Sequence, residues 1–279
     1  MQTVLTIAGF DPSSGAGVTA DLMVFAAHGL FGVSAITALT VQSTVGVRAT
    51  HPVAAEILRA TLDCLEQDLP AAGIKIGMLA TAANVGVVCD YLDEVRRREQ
   101  SRPPAAGIPV VLDPVLQSSS GRELLEAEGV TALRERLLPV VDWVTPNLAE
   151  LAVLTGCPVA THDDLRSAAH ALQAQVVHKR SRLGVFATGG HLDPPDDFLL
   201  TPASEELWLP GRRIETRATH GTGCAVSSAF LSRLVLGDVP DDAARAAKLF
   251  VAVALQTATP RGAGHGPINH LWQLLNAKR

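Results

Sequence analysis

Several short stretches carry residue types and spacings suited to chemistry on a phosphate or a polar ring. The first is His220-Gly221-Thr222-Gly223-Cys224, which stands before a helix-like run. Consecutive small residues at a helix start gather backbone N–H groups into a nest that stabilises charge on a transferring phosphoryl group. A cysteine placed there is expected to have a lowered pKa, so Cys224 can serve as a base or a donor near the nucleophile. The plain alternative is a tight turn with a buried thiol. Gly9-Phe-Asp11-Pro-Ser-Ser-Gly15-Ala-Gly17 lies between strand-like and helix-like segments. Its glycines permit close approach of a ligand to the backbone, or simply make a βα turn. It is neither a Walker A loop nor a GxGxxG fingerprint.

Gln42, in Thr40-Val-Gln42-Ser43-Thr44, offers both a donor and an acceptor. That suits a heteroaromatic ring edge, although a polar strand end reads the same way. Asp113, in Asp113-Pro114, follows an apolar run and suits Mg²⁺ or its water, or only a turn. In Pro146-Asn147-Leu-Ala-Glu150 the asparagine can cap a helix and Glu150 can complete the cap, or Glu150 can orient a hydrated Mg²⁺ ion. Gly262-Ala-Gly264-His265-Gly266-Pro-Ile-Asn269 is a closing loop or a terminal turn.

Positioning these residues requires a framework, and short apolar runs supply it. They recur over 4–8, 34–39, 73–76, 110–112, 143–145 and 184–187, with helix-like stretches over 20–28, 53–68, 83–98, 124–137 and 165–177 between them. This β–α alternation predicts an α/β fold with a mainly parallel sheet and helices on both faces. Ligands bind beyond the carboxyl ends of such strands, where the residues above fall. Toward the end, 206–209 and 213–217 read as a strand pair turning at Pro210-Gly211, followed by helices over 224–236 and 241–257. Thr161 to Asp164 fits a capping box. The stretches 101–104 and 193–197 read as solvated loops, and residues 1–279 as one domain.

Composition narrows the function. Lys plus Arg is 23 and Asp plus Glu is 28, a net charge of −5, which argues against nucleic acid as a partner. No apolar run approaches the roughly 18 to 20 residues of a membrane span, and the start has no basic region of a signal peptide. A cytoplasmic location and no membrane partner are expected. The four cysteines form no CxxC pair and the nine histidines no HExxH pair, so a transition-metal site is not supported.

Taken in order, TIAGFDPSSGAGVTADL (6–22), ITALTVQST (36–44), KIGML (75–79), VVLDPVL (110–116), VTPNLAEL (144–151), TGGH (188–191), HGTGC (220–224) and GHGPIN (264–269) resemble the hydroxymethylpyrimidine/phosphomethylpyrimidine kinases of thiamine biosynthesis. The resemblance spans nearly the whole chain. It implies a ribokinase-like fold, a homodimer, ATP as co-substrate with Mg²⁺, and a small pyrimidine as acceptor. It implies that Gly9, Asp21, Gln42 and Met78 surround the pyrimidine. Gly221, Thr222 and Gly223 become the anion hole, with Cys224 as the catalytic residue. Asp113, Asn147, Thr188 and Lys248 fall at the nucleotide, and Asp113 and Glu150 at the metal. Two positions depart from the family pattern: Met23 and Thr188 stand where lysines are usual. Arg122 or Lys75 is the candidate to replace the second cation. A pyridoxine or pyridoxal kinase and a non-catalytic binding relative are the competing readings.

Overall fold

Alternation along the strands decides the architecture. In β1 (Thr3–Phe10) Leu5 and Ile7 enter one apolar cluster, while Val4 enters a second on the opposite face of the sheet. In β5 (Val110–Leu112), Val110 and Leu112 join the first cluster and Val111 the second. A strand that is apolar on both sides needs cover on both. The computed structural model supplies it, describing residues 1–101, 107–118, 120–177 and 182–276. Residues 102–104 of the expected 101–104 loop, and Ser119, lie outside the described residues.

The remaining strands are β2 (Phe31–Ser43), β3 (Gly46–Pro52), β4 (Gly73–Ile76), β6 (Trp143–Val144), β7 (Gly184–Ala187), β8 (Asp197–Leu200) and β9 (Glu206–Leu209). They form one nine-stranded sheet in the order β3-β2-β1-β4-β5-β6-β7-β8-β9. The six strands from β2 to β7 in that order run parallel, and β3, β8 and β9 add antiparallel edges.

On one face pack α2 (Ala55–Asp68), α3 (Ala82–Gln100), α4 (Ala127–Ala132, continued in wider π geometry through Leu137), α5 (Leu148–Thr155) and α6 (His162–Gln175). On the other pack α1 (Gly17–Ala27), α7 (Thr222–Val235) and α8 (Pro240–Gln256), with α9 (Trp272–Asn276) beyond them. Phe230 of α7 meets Trp143 edge-on at 5.1 Å and Phe186 at 5.2 Å between ring centroids, locking α7 over β6 and β7. Fully burying a side chain of this size contributes about 1.5–3 kcal/mol.

The expected alternation and the capping box at Thr161 and Asp164 are present. The last strand pair is not as expected. Segment 206–209 pairs with Asp197–Leu200, and 213–217 is not a strand. Phe198, Leu199 and Leu200 are fully buried, whereas 213–217 carries Arg213, Glu215 and Arg217. The apolar segment therefore takes the inner position. The hairpin of β2 with β3 also escaped the sequence reading, because 46–52 has only Val47 and Ala49 as apolar members of its alternation.

Candidate active site

The parallel strands end on one rim, and Asp11, Met78, Asp113, Asn147 and Thr188 all follow them within three residues. The loop after β1 is organised by Asp11. Its Oδ1 accepts from Ser13 N at 2.8 Å and Ser13 Oγ at 2.7 Å, and its Oδ2 accepts from Ala16 N at 3.0 Å. The same Oδ2 lies 2.7 Å from His220 Nε2. Burial pushes the Asp11 carboxyl up, but His220 and Ser13 outweigh it and hold it below the ordinary value.

Glycine permits the contact between this loop and the start of α7. Gly221 has φ +88°, and a Cβ on it would lie 1.7 Å from Gly15 O. His270 Nε2 donates to Gly15 O at 3.0 Å, and His220 N donates to Gly266 O at 3.0 Å. The stretch 262–269 thus packs against His220 just before α7, a contact its sequence did not disclose. Gln42, at the end of β2, places its Nε2 3.1 Å from His220 Nε2, and its Oε1 accepts from Thr40 Oγ1 at 3.2 Å. Met78 adjoins Gly9, where a Cβ would lie 2.9 Å from the Met78 sulfur.

Asp21 is placed differently from the expectation. It is fully buried beneath the site rather than facing a ring. It accepts from Thr6 Oγ1 at 2.6 Å, Ser228 Oγ at 2.8 Å and Lys75 Nζ at 3.0 Å to each carboxylate oxygen. Strand period two explains this: Ile74 and Ile76 point to the first cluster, so Lys75 points toward α1 and α7. Lys75 Nζ also lies 3.6 Å from Asp113 Oδ2. Burial opposes its charge, but Asp21, Cys224 and Asp113 together hold its pKa above the ordinary value. Sequence reading gave Lys75 only a conditional role. The signal was a lysine inside an otherwise apolar strand, which must find a counter-ion.

Cys224 occupies the first turn of α7, within hydrogen-bonding reach of Asp113. Its thiol is pushed up, not down. Burial and the Asp113 and Asp21 carboxylates outweigh Lys75 and the Gly17 N–H, so the expected lowering at a helix start does not occur. Asp113 is itself raised, by burial first and by Asp21, against the pull of Lys75.

Glu150 does complete a capping box. Its Oε2 accepts from Asn147 N at 2.9 Å, and Asn147 Oδ1 accepts from Glu150 N at 2.9 Å. It is nevertheless buried, and burial with the nearby Asp113 pushes it up to about 8. Asp113 thus raises the buried Glu150, and two neighbouring buried carboxyls suit a cation between them. Among the described residues no cluster of three or more His, Cys, Asp or Glu could hold a metal by itself. Such a pair suits Mg²⁺, which usually takes one or two carboxylates plus substrate phosphates.

Thr188 joins Asn147, donating from its N–H to Pro146 O at 2.9 Å. Lys248 is bound elsewhere. Its Nζ lies 2.7 Å from Asp197 Oδ2 and donates to Pro195 O at 3.1 Å, anchoring the turn between β7 and β8. Arg122 is exposed and donates to Arg48 O at 2.9 Å. Lys75, not Arg122, is therefore the cation beside Asp113. A cavity of about 570 Å³ opens between residues 214–217 and Leu255, Gln256, Ala258 and Pro260. Its residue types carry no chemical signal, and sequence reading missed it.

The chain matches the family profile described as phosphomethylpyrimidine kinase over residues 11–269. It is 37% identical over 275 residues to the hydroxymethylpyrimidine/phosphomethylpyrimidine kinase of Haemophilus influenzae, covering 97% of both chains. Its fold superposes on the phosphomethylpyrimidine kinase of Clostridium difficile 630 with a TM-score of 0.76 at 30% identity, covering 91% of this chain and all of that one. A Bacillus subtilis pyridoxal kinase, solved as an ADP complex, superposes with a TM-score of 0.82 at 28% identity over 99% of this chain and all of that one.

Proposed function

The chain belongs to the phosphomethylpyrimidine kinase family and is a phosphotransferase, and from that premise we propose the reaction its site performs. The enzyme transfers the γ-phosphoryl group of ATP to the hydroxymethyl group of 4-amino-5-hydroxymethyl-2-methylpyrimidine, then phosphorylates the monophosphate, in thiamine biosynthesis. One observation carries this reading: the glycine loop after β1 and the N-terminus of α7 meet at Gly15 and Gly221, directly over Cys224, Asp113 and Lys75.

Phosphoryl transfer asks a protein mainly for positioning and charge stabilisation. The N–H groups of Gly221, Thr222, Gly223 and Cys224 receive the charge on the transferring group. Gly9, Gln42 and Met78 hold the ring. Cys224, kept as a thiol within hydrogen-bonding reach of Asp113, accepts the hydroxyl proton as its own thiol proton passes to an oxygen of the transferred phosphoryl group. Asp21 acts from below by holding Lys75. Asn147 and Thr188 border the phosphates, and Lys248 fixes the adjoining turn. The cavity beside Leu255 and Gln256 suits the nucleoside end of ATP. Asp113 and Glu150 would hold Mg²⁺, which supplies neutralisation of phosphate charge.

Three further readings belong here. No helix among the described residues is long and apolar enough to cross a membrane, and a cytoplasmic site fits an ATP-dependent step. The chain acts as one domain. Exposed Leu39 and Val41 on β2 and Ile57 on α2 suit a homodimer contact, for which light scattering should give about twice the 29.3 kDa chain mass.

The deciding experiment measures ADP release with Mg·ATP and four acceptor conditions: the hydroxymethylpyrimidine, its monophosphate, pyridoxine and none. Turnover with both pyrimidines is expected. Turnover with pyridoxine alone would move the enzyme to the chemistry named for its pyridoxal kinase neighbours. Ligand binding without turnover would make it a binding protein, with Thr188→Lys as the substitution to restore activity.

A further inference from the structure

The turn between β7 and β8 reads in sequence as solvated, and it ends on two consecutive aspartates, Asp196 and Asp197. In the structure each holds a different part of the molecule. Asp197 is buried. Its Oδ1 accepts from Gly189 N at 2.8 Å, and its Oδ2 lies 2.7 Å from Lys248 Nζ. Asp196 Oδ1 accepts from Gly211 N at 2.7 Å, and its Oδ2 lies 3.9 Å from His162 Nε2.

These partners belong to separate pieces of the region read as the ATP site. The Gly189 N–H is in the peptide that follows Thr188, and the Thr188 N–H donates to Pro146 O at 2.9 Å. The backbone of Thr188 is thus held on both sides. A Cβ on Gly189 would lie 1.8 Å from Asp196 O, so the turn closes directly onto this peptide. Gly211 leads into residues 214–217, one wall of the cavity described above. The turn meets that segment again, where a Cβ on Gly211 would lie 2.0 Å from Pro195 O and Arg213 donates to Leu192 O at 2.8 Å. Lys248 belongs to α8, whose Leu255 and Gln256 line the same cavity. The step from Lys248 to Leu255 is about two helical turns, which places both on one side of α8.

We infer that Asp196 and Asp197 are positioning residues for ATP: from one short turn they fix the Thr188 backbone, the 211–217 wall and α8 in a single arrangement, so that the phosphate border and the nucleoside cavity keep one spacing. The inference rests on the reading of Thr188 and the cavity as the two ends of the ATP site. Both aspartates act through their partners, and Lys248 acts through Asp197. A site already held in its bound geometry spares the nucleotide the cost of ordering it. Loosening the turn therefore weakens ATP and leaves the ring side, at Gly9 and Met78, unaltered.

The test uses the full-length enzyme with Mg·ATP. Asp196→Ala removes one acceptor and should raise the KM for ATP about fivefold to tenfold. Asp196→Asn keeps an acceptor for the Gly211 N–H and should bring that KM back to within about twofold of wild type. Asp197→Asn still accepts from Gly189 but loses its ion pair with Lys248, and should raise the KM for ATP about tenfold or more. The KM for the hydroxymethylpyrimidine should stay within about twofold in each variant. Equal rises in both KM values, or no rescue by Asp196→Asn, would make the turn a stability element only and overturn the inference. Ala258→Trp, which fills the cavity, separates the two levels. If it leaves the KM for ATP unchanged, the cavity does not take the nucleoside and the inference falls with that reading. If it raises that KM while Asp196→Ala and Asp197→Asn do not, the positioning role alone is overturned. Should Asp197→Asn fail to fold, the two Asp196 variants still decide, because that side chain is 22% exposed and its loss is tolerated.

Discussion

At the scale of single residues, the position of Cys224 against Asp113 separates the two phosphorylations. An alcohol acceptor must lose a proton, whereas a phosphate acceptor arrives already anionic. Cys224→Ala should therefore slow the first transfer by about 10²-fold or more, the range of general-base catalysis, and the second by less than about tenfold. Single-turnover assays on each acceptor measure this, and equal losses would remove the proton-accepting role. Lys75 gives a different prediction. Lys75→Met would leave Asp21 buried without its counter-ion, a change worth about 3–5 kcal/mol. Calorimetry should record a fall in Tm of roughly 10 °C or more. The two residues were unequally legible. Cys224 announced itself by following three small residues. Lys75 sat in an apolar strand, and its partner Asp21 lies 54 positions away and is shared with Ser228, 207 positions from Asp21. No local pattern records such a pairing. The direction of the Cys224 shift was illegible for the same reason: spacing shows a helix start, but not the carboxylates beneath it.

At the scale of elements, the site depends on loops that only glycine can bring together. Gly221→Ala would place a methyl group against Gly15 O and force a side chain into left-handed backbone. The expected result is a loss of kcat/KM of at least about a hundredfold, from misplacement of the phosphoryl-binding N–H groups. Gly29→Ala is the control. Gly29 has φ +74°, nothing lies within 4 Å of its Cβ position, and it follows α1 away from the site. It should lower stability by about 1 kcal/mol and leave kcat/KM unchanged. A similar loss of activity in both variants would mean that backbone strain, not the loop contact, is responsible. The parallel strands were legible because each is a short apolar run between helix-like stretches. The antiparallel edges were not. β3 alternates only over Val47 to Thr50, and β8 was concealed in a segment that opens with Asp-Pro-Pro-Asp-Asp. Which of two neighbouring segments pairs with β9 is decided by burial of Phe198, Leu199 and Leu200, a property of the assembled sheet.

At the scale of the whole molecule, global stability carries a histidine signature. His28 closes α1 against α8, its ring 4.9 Å from that of Phe250, and its Nδ1 donates to Val24 O at 2.9 Å. Burial holds its pKa below the ordinary 6.5, outweighing the Val24 carbonyl. The unfolded chain therefore takes up the proton first as pH falls. The stability tied to neutral His28 is complete above pH 6.5 and is lost as pH falls below it. His28→Phe cannot titrate, so urea unfolding of the two proteins should show the wild type losing ground to the variant between about pH 7.5 and 5. A constant difference across that range would exclude the mechanism.

The carbonyl of Gly15 has one more consequence. It receives His270 from 255 positions further along the chain and lies against Gly221. Joining such distant points is entropically expensive, and it is impossible until both have been synthesised. On the ribosome, which adds about 5–20 residues each second, β1 waits many seconds for its last neighbour. A nascent chain halted before His270 can pair its parallel strands, yet it lacks the donor that holds the Gly15 carbonyl. The loop after β1 thus gains its last hydrogen-bond partner only when translation has passed that histidine.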